Sequence, residues 1–148
     1  MEPVTYEPIG VVESPFSDPD AVPRPSEEFV EATGTVRLKP EYEPGLKGLE
    51  EFSHVVLVSH LHEVDETRLQ VAPIAAQGEI GIFATSGPVR PNPIGTSVVA
   101  LEEVSGRELT VSNLDLADGT PILDVKPYAP KMTDLGALET GWMGSDPD

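Results

Sequence analysis

The sequence contains no cysteine, which excludes a disulfide framework, a thiolate metal site and a cysteine nucleophile. It also lacks any apolar run close to the roughly 20 residues that a helix needs to span a bilayer. The N-terminus, Met1-Glu2-Pro3, does not have the pattern of a signal peptide. Basic residues are scarce, because nine of them face 26 acidic residues and the net charge is −17. We therefore expect a cytoplasmic protein with no membrane association.

The acidic surplus has two interpretations. The acidic residues either form a solvated acidic coat over the surface, as in proteins from a cytoplasm of high salt concentration, or provide a surface for a cationic partner or a metal. The acids are scattered along the chain instead of forming one block, which favours the coat. Such a coat opposes ordinary nucleic-acid binding, in which lysine and arginine neutralise phosphates.

Proline is abundant, with 16 of 148 residues against a background of about 5%, which disfavours a helix-dominated fold. The length predicts one domain. Short apolar segments between turn residues predict an all-β barrel or sandwich. The predicted strands cover residues 6–13, 33–39, 54–63, 79–85, 95–104, 108–114 and 122–126, and a short helix fits residues 44–52. Of these, 54–63 is expected to be a central strand buried on both sides, and 95–104 and 108–114 form a hairpin.

One segment, residues 80–101, contains no aspartate or glutamate, although about four would be expected at the chain average. Within it, TSGPVRPNPIG at 85–95 holds three prolines and two glycines, so it cannot be a buried strand. A loop stiffened in this way is preorganised for ligand contacts. Arg90 would supply a planar cation and Asn92 an amide donor and acceptor. The alternative is a rigid strand connection in which Arg90 pairs with one of the many acids.

The three histidines lie close together, at His54, His60 and His62. Their even numbers place them on one face of the predicted strand. Zinc would require a third ligand, and none stands at a recognisable spacing, so no metal site is predicted. His62, at the end of the strand, is the best placed to line a ligand cavity.

A third group of polar residues surrounds the turn at Asp118-Gly119, in LDLADGTPILDVK at 114–126. A carboxylate at such a tip, from Asp115 or Asp118, could hold ribose hydroxyls or a cationic group. It could equally form an Asx-turn that caps its own backbone. From the local pattern alone, the turn is the favoured interpretation.

Taken together, these segments resemble the TsaA-like family, also called TrmO and formerly YaeB or VirR. The resemblance is carried by PIGVVESPF, GLEEFSHVVLVSHLH, GIFATSGPVRPNPIGTSVVALEEV and LDLADGTPILDVKPYAP, over about residues 4–130. It implies a small single-sheet antiparallel β-barrel with short helical or loop insertions that forms a homodimer. The chain is then one domain over residues 1–148, with a peripheral tail at 131–148.

The resemblance also implies a methyltransferase that uses S-adenosylmethionine (SAM) and methylates N6 of threonylcarbamoyladenosine in tRNA. By motif match, the implied cofactor-binding residues are Ser14, Pro15, Phe16, Leu61, His62, Ser86, Thr96, Asp115, Leu116, Ala117 and Asp118. Arg90 and Asn92 are expected to bind substrate, and His62 and Asp118 to take part in catalysis.

One position departs from the family pattern. Ser86 stands where the family usually has an arginine, so a cationic side chain is lost near the cofactor or the RNA phosphates. Two alternatives therefore stay open beside the tRNA methyltransferase. The same scaffold could methylate another RNA or a small molecule, or the chain could be a non-catalytic barrel that binds SAM or a metal.

Overall fold

The computed structural model describes residues 1–16, 32–129 and 135–144. Its strands are β1 (Gly10–Glu13), β2 (Gly34–Leu38), β3 (His54–His60), β4 (Gln70–Val71), β5 (Ile80–Gly81), β6 (Ile94–Ser105), β7 (Glu108–Ser112) and β8 (Pro121–Pro127). Six of them form a closed barrel in the order β1-β2-β7-β6-β3-β8, and β4 pairs with β5 apart from it. All the barrel pairings are antiparallel. The predicted all-β barrel is confirmed.

The core lies inside the barrel, where each strand points every second residue inward. Strand β3 shows the alternation clearly, because Val55, Leu57 and Ser59 are fully buried while their neighbours are half-buried or exposed. The buried cluster is otherwise aliphatic: Val12, Val36, Leu38, Leu46, Val99, Leu109, Val111, Leu114, Leu116 and Ile122. Strand β3 therefore has one buried face, and the prediction that it is buried on both sides is wrong.

The barrel is closed by its shortest pairing, that of β1 with β8. These strands share two residue pairs, Gly10 with Ile122 and Val11 with Pro121, against seven pairs between β3 and β6. Bonding continues before the start of β8, where the amide of Val12 donates to the carbonyl of Thr120 at 3.0 Å. The amide of Gly119 donates back to the carbonyl of Val12 at 2.8 Å.

An ion-pair network ties three strands together on the outer surface. Arg37 of β2 contacts Glu13 of β1 and Glu108 of β7, with its Nε 2.8 Å from Glu108 Oε1. The hydrogen bond to Glu108, followed by the charge of Glu13, raises the pKa of Arg37 above its ordinary value. The arginine therefore stays charged, and it offsets the charge of one of the two glutamates.

Most predicted elements are confirmed, although β3 and β7 end two or three residues earlier than predicted and three other elements differ more. The first strand begins later than predicted, at Gly10. The predicted helix at 44–52 is a pair of 3₁₀ helices, Pro40–Leu46 and Leu49–Glu51, separated at Gly48, whose φ of 91° breaks the helical path. The predicted strand 79–85 is the short β5 followed by a 3₁₀ helix, Ile82–Ala84, because the amide of Thr85 turns back to bond the carbonyl of Ile82 at 3.0 Å.

Outside the barrel, residues 135–144 carry a 3₁₀ helix, Gly141–Met143. This segment reaches back to the body of the protein, where the indole N–H of Trp142 donates to the carbonyl of Ala84 at 2.6 Å. In the described parts of the chain, none of the helices has the length and hydropathy that a bilayer span requires.

Candidate functional site

A cavity of about 500 Å³ opens at the end of the barrel where β3 ends and β6 begins. This volume is within the range of about 300–1,000 Å³ that is usual for small-molecule sites. Four segments supply its walls. The turn after β3 contributes Leu61, His62, Glu63 and Val64. The loop after the 3₁₀ helix Ile82–Ala84 contributes Thr85, Ser86, Pro88 and Arg90. The start of β6 contributes Ile94, Gly95, Thr96 and Ser97, and the connection from β7 to β8 contributes Asp115, Leu116, Ala117 and Thr120.

The wall between β3 and β6 depends on Gly95. A Cβ atom at this position would lie 2.8 Å from Ser59 Oγ and 3.1 Å from Leu61 Cδ2. The first distance is too short for a real contact, so a side chain here would force the buried Ser59 Oγ or the β3–β6 pairing to shift. Just outside the strands, the amide of Leu61 donates to the carbonyl of Pro93 at 2.7 Å. The final glycine of the RPNPIG segment is therefore required by packing at the cavity wall.

The loop at 85–90 is braced by its own side chains. Arg90 Nη1 donates to the carbonyls of Thr85 and Gly87, at 2.9 and 3.0 Å. Thr85 Oγ1 donates to the carbonyl of Ile82 at 3.0 Å and accepts the amide of Gly87 at 3.0 Å. Within the described residues, Arg90 forms no ion pair with a carboxylate, and its guanidinium bonds loop carbonyls instead. Its positive charge is held at the cavity wall.

Asp115 places an unsatisfied oxygen in the same wall. Its Oδ1 is buried and, of the side-chain atoms in the described ranges, it alone is buried without a hydrogen-bond partner. A buried polar atom normally has a partner, because leaving a carboxylate oxygen unpaired away from water is costly. The atom is covered in this structure, so a ligand that donates an N–H or O–H to it must first displace the side chains that cover it.

Asp118 has a different environment from Asp115. Its Oδ1 accepts the amide of Ser14 at 2.9 Å, and its own amide donates to the carbonyl of Phe16 at 2.7 Å. Ser14 Oγ in turn accepts the amide of Phe16 at 2.9 Å. These bonds join the end of β1 to the connection between β7 and β8. Asp118 thus fixes a long-range corner instead of capping its own backbone.

His62 lies beyond the end of β3, so it does not share the outer strand face with His54 and His60. Its Nε2 is 3.4 Å from Glu63 Oε1 and would be 3.9 Å from a Cβ at Gly119, whose φ is 80°. The imidazole therefore stands between the turn after β3 and the aspartate turn. Across the described ranges, no group of three or more His, Asp or Glu side chains is arranged to hold a metal ion.

The cavity brings together eight of the thirteen residues singled out from the sequence. They are Leu61, His62, Ser86, Arg90, Thr96, Asp115, Leu116 and Ala117. Ser14, Pro15, Phe16 and Asp118 belong to the adjacent corner and are absent from the cavity wall, as is Asn92. The carbonyl of Asn92 instead accepts the amide of Ile94 at 2.7 Å.

Sequence reasoning missed several lining residues. Ser97 could have been found, because the two-residue period of β6 points Ser97 inward with Val99. Thr120 is buried beside the aspartate turn and donates to the carbonyl of Ala117 at 2.6 Å. Glu63 and Val64 occupy an irregular turn whose direction no periodic pattern predicts.

The family model described as the tRNA-methyltransferase O N-terminal domain matches residues 11–134. A probable S-adenosyl-L-methionine-binding protein of Pyrococcus abyssi is 43% identical over 95% of this chain and 76% of its own length. The tRNA (adenine(37)-N6)-methyltransferase of Escherichia coli is 36% identical, over 99% of this chain and 67% of its own length.

Comparison with solved structures points to the same family as the comparison of sequences. The crystal structure of TrmO from Pseudomonas aeruginosa matches with a TM-score of 0.80 at 36% identity, over 99% of this chain and 66% of that chain. Some relatives are much longer than this chain. It spans 36% of a probable S-adenosyl-L-methionine-binding protein of Archaeoglobus fulgidus and 54% of a putative methyltransferase of Pseudomonas aeruginosa.

Proposed function

The chain belongs to the family of the tRNA-methyltransferase O N-terminal domain, and from this we propose that it is a SAM-dependent methyltransferase that acts on an adenine N6 nitrogen of tRNA. The observation that carries the proposal is a cavity of about 500 Å³ whose wall includes Asp115, the residue with a buried and unpaired Oδ1. SAM has ribose hydroxyls and an ammonium group, and either can donate to this oxygen. The donor that the carboxylate lacks is thus one that the cofactor carries.

The rest of the cavity suits the same ligand. Its lining is largely apolar at Leu61, Leu116 and Ala117, which fits the faces of an adenine ring. Arg90 is held in place by two loop carbonyls, and its charge can meet a carboxylate such as that of the methionine moiety. A carboxylate on one wall and a guanidinium on another give the site a direction along which a zwitterionic ligand can align.

SAM supplies an electrophilic methyl group on a sulfonium, and the chain supplies alignment and proton transfer. The bond from sulfur to carbon breaks as the bond from N6 to carbon forms, and the N6 proton must leave. We assign the acceptance of that proton to His62, whose imidazole stands at the cavity wall. Asp118 acts on this site indirectly, by fixing the Ser14 corner against the segment that carries Asp115.

Threonylcarbamoyladenosine is the substrate that we propose within tRNA. The carbamoyl group on N6 makes the remaining N–H more acidic, so a base as weak as histidine can remove its proton. Ser86 also lines the cavity, and its small neutral side chain leaves room where the family usually has arginine. A different RNA or a small molecule is the alternative acceptor that this substitution favours.

We further propose that the chain is a single functional domain that acts as a homodimer in the cytoplasm, where tRNA is found. The outer face of β3 and β6 supports the dimer, because it presents an aliphatic strip. Val98 and Ile94 are 43% and 45% exposed, and Val56, which is paired with Val98, is half-buried. Sedimentation velocity tests the dimer: V98D should give a monomer, and a wild-type monomer would refute it.

Methyl transfer is tested with tRNA and SAM whose methyl group carries deuterium. After digestion to nucleosides, mass spectrometry should detect the labelled methyl on threonylcarbamoyladenosine and on no other nucleoside. Label on a different nucleoside would support the alternative RNA substrate. Absence of label from every RNA, with calorimetric SAM binding intact, would refute the tRNA activity. Both assays should be run at low and at molar salt, because the acidic coat is suited to a cytoplasm of high ionic strength.

A further inference from the structure

Two aromatic side chains stand beside the cavity without lining it. Phe83 is 75% exposed on the 3₁₀ helix Ile82–Ala84, directly before the lining residues Thr85 and Ser86. Trp142, from the C-terminal segment, bonds the carbonyl of Ala84 through its indole N–H at 2.6 Å. Trp142 comes from outside the span that the family model matches, residues 11–134. Two distant parts of the chain therefore bring aromatic groups to one short turn at the edge of the site.

The turn that carries Phe83 is firmly held. Ile82 is buried, its amide donates to the carbonyl of Leu69 at 2.9 Å, and its carbonyl accepts the hydroxyl of Thr85 at 3.0 Å. Phe83 is therefore presented to solvent by a fixed backbone and does not contribute to the core. A large aromatic ring in such a position needs no ordering of the backbone before it contacts a partner.

Charge at the turn is unusual for this protein. Residues 80–101 carry no acid although the chain has a net charge of −17, so a polyanion meets the least repulsion along this segment. The positive charges that would attract a phosphate backbone are scarce, and several are already neutralised. Arg37, Arg68 and Lys126 each form an ion pair with a carboxylate. Stacking of bases on aromatic rings is the recognition mode that needs no net charge.

We propose that Phe83, with Trp142 beside it, forms a stacking surface for an unpaired RNA base next to the base that enters the cavity. The inference rests on the proposed function, because it assigns to an RNA substrate the groups that hold it. Two observations favour RNA over a protein partner: the surface is continuous with the cavity wall at Thr85, and the segment that bears Phe83 is free of acid. Stacking thus replaces part of the phosphate contact that the acidic coat prevents.

Trp142 is the only tryptophan in the chain, so its fluorescence reports on this surface alone. The probe is a single-stranded oligoadenylate of about ten nucleotides, a length within the usual span of such sites. We expect saturable quenching of the Trp142 emission as the oligonucleotide is added. An oligonucleotide of equal length and charge with abasic positions is the control, and it should bind at least about tenfold more weakly if stacking supplies the affinity.

Variants are compared by the anisotropy of a labelled oligonucleotide, which does not depend on tryptophan. F83A should raise Kd by about tenfold, the effect of losing one base stack, and F83Y should restore binding. Y42A is the matched control, because Tyr42 is an exposed aromatic on the 3₁₀ helix Pro40–Leu46. Its neighbour Glu43 lies by Gly106 in the β6–β7 hairpin, far along β6 from the cavity.

The failure of this inference differs from the failure of the proposed function. Equal binding of the abasic probe, an unchanged Kd for F83A, or no binding of either probe would overturn the stacking surface. SAM affinity, measured by calorimetry, should be the same for F83A and for the wild type. A wild type that binds the oligonucleotide through Phe83 but does not bind SAM would refute the proposed methyltransferase and leave the stacking surface supported.

Discussion

Replacing Asp115 by asparagine tests the central feature of the site. The change keeps the size of the side chain and removes its charge, while the buried Oδ1 that lacks a partner becomes a neutral amide oxygen or nitrogen. If this oxygen accepts a hydrogen bond from the cofactor, a charged acceptor is lost, which is worth about 1.5–3 kcal/mol. SAM affinity should then fall by about 10- to 150-fold, since each 1.4 kcal/mol corresponds to a factor of about ten.

The unliganded protein should respond differently. Because Asp115 Oδ1 has no partner in the described structure, D115N breaks no hydrogen bond of that atom. The free energy of unfolding without ligand should therefore not decrease, since a buried unpaired carboxylate oxygen is itself destabilising. D124N is the control: the carboxylate of Asp124 already bonds the amide of Val125 and pairs with Lys126, and it does not line the cavity. It should leave SAM affinity unchanged.

Isothermal titration calorimetry with two ligands identifies the donor. SAM carries both the ribose and the ammonium group, whereas 5′-methylthioadenosine keeps the ribose and lacks the amino-acid part. An equal loss of affinity for both ligands in D115N would assign the carboxylate to the ribose. A loss for SAM alone would assign it to the ammonium. Wild-type affinity of D115N for both ligands would refute the argument from the unpaired oxygen.

Three further substitutions test the walls of the cavity. In a urea titration, G95A should destabilise the protein by about 1–3 kcal/mol through overpacking. G45A is the control, because Gly45 has open space around it, and it should not lower the stability. Equal stability of the two variants would contradict the packing argument. R90K keeps the charge but loses the planar group that bonds the loop carbonyls. SAM should therefore bind at least about tenfold more weakly in calorimetry. Unaltered affinity would mean that these two hydrogen bonds are not needed to position the loop. D118A removes the acceptor of the Ser14 amide and should weaken SAM binding with less than about 1.5 kcal/mol lost from folding, while D118N keeps an acceptor and should retain affinity. Normal SAM affinity of D118A would show that the Ser14 corner does not influence the cofactor site.

The barrel strands and part of the site could be predicted because the relevant signals are local. Short apolar segments between turn residues predicted β3 and the β6–β7 hairpin, and the prolines around Arg90 marked a rigid ligand loop. Other cavity residues, such as Ser86 and Thr96, were indicated only by the family resemblance. The strand predicted at 79–85 failed because its apolar residues are equally compatible with a 3₁₀ turn. That turn is stabilised by the hydroxyl of Thr85, a contact that hydrophobic periodicity does not contain.

Long-range contacts set the limit of sequence reasoning. The bond between Ser14 and Asp118 joins residues 104 positions apart, so no spacing rule indicates which of Asp115 and Asp118 faces the cavity. The local pattern favoured an Asx-turn, and only the folded chain separates the two roles. No local pattern predicts the contact of Trp142 either, because Trp142 lies 58 positions from the residue whose carbonyl it bonds.

The short closure between β1 and β8 couples the ligand to the integrity of the whole molecule. The amides and carbonyls that complete this seam belong to Val12, Gly119 and Thr120, and Thr120 also lines the cavity. Separation of β1 from β8 therefore disrupts the cavity wall, so a bound ligand must dissociate before the barrel can open. At a ligand concentration 100 times Kd this linkage adds about 2.7 kcal/mol to the free energy of unfolding. Slowed amide exchange at Val12 would be its first sign.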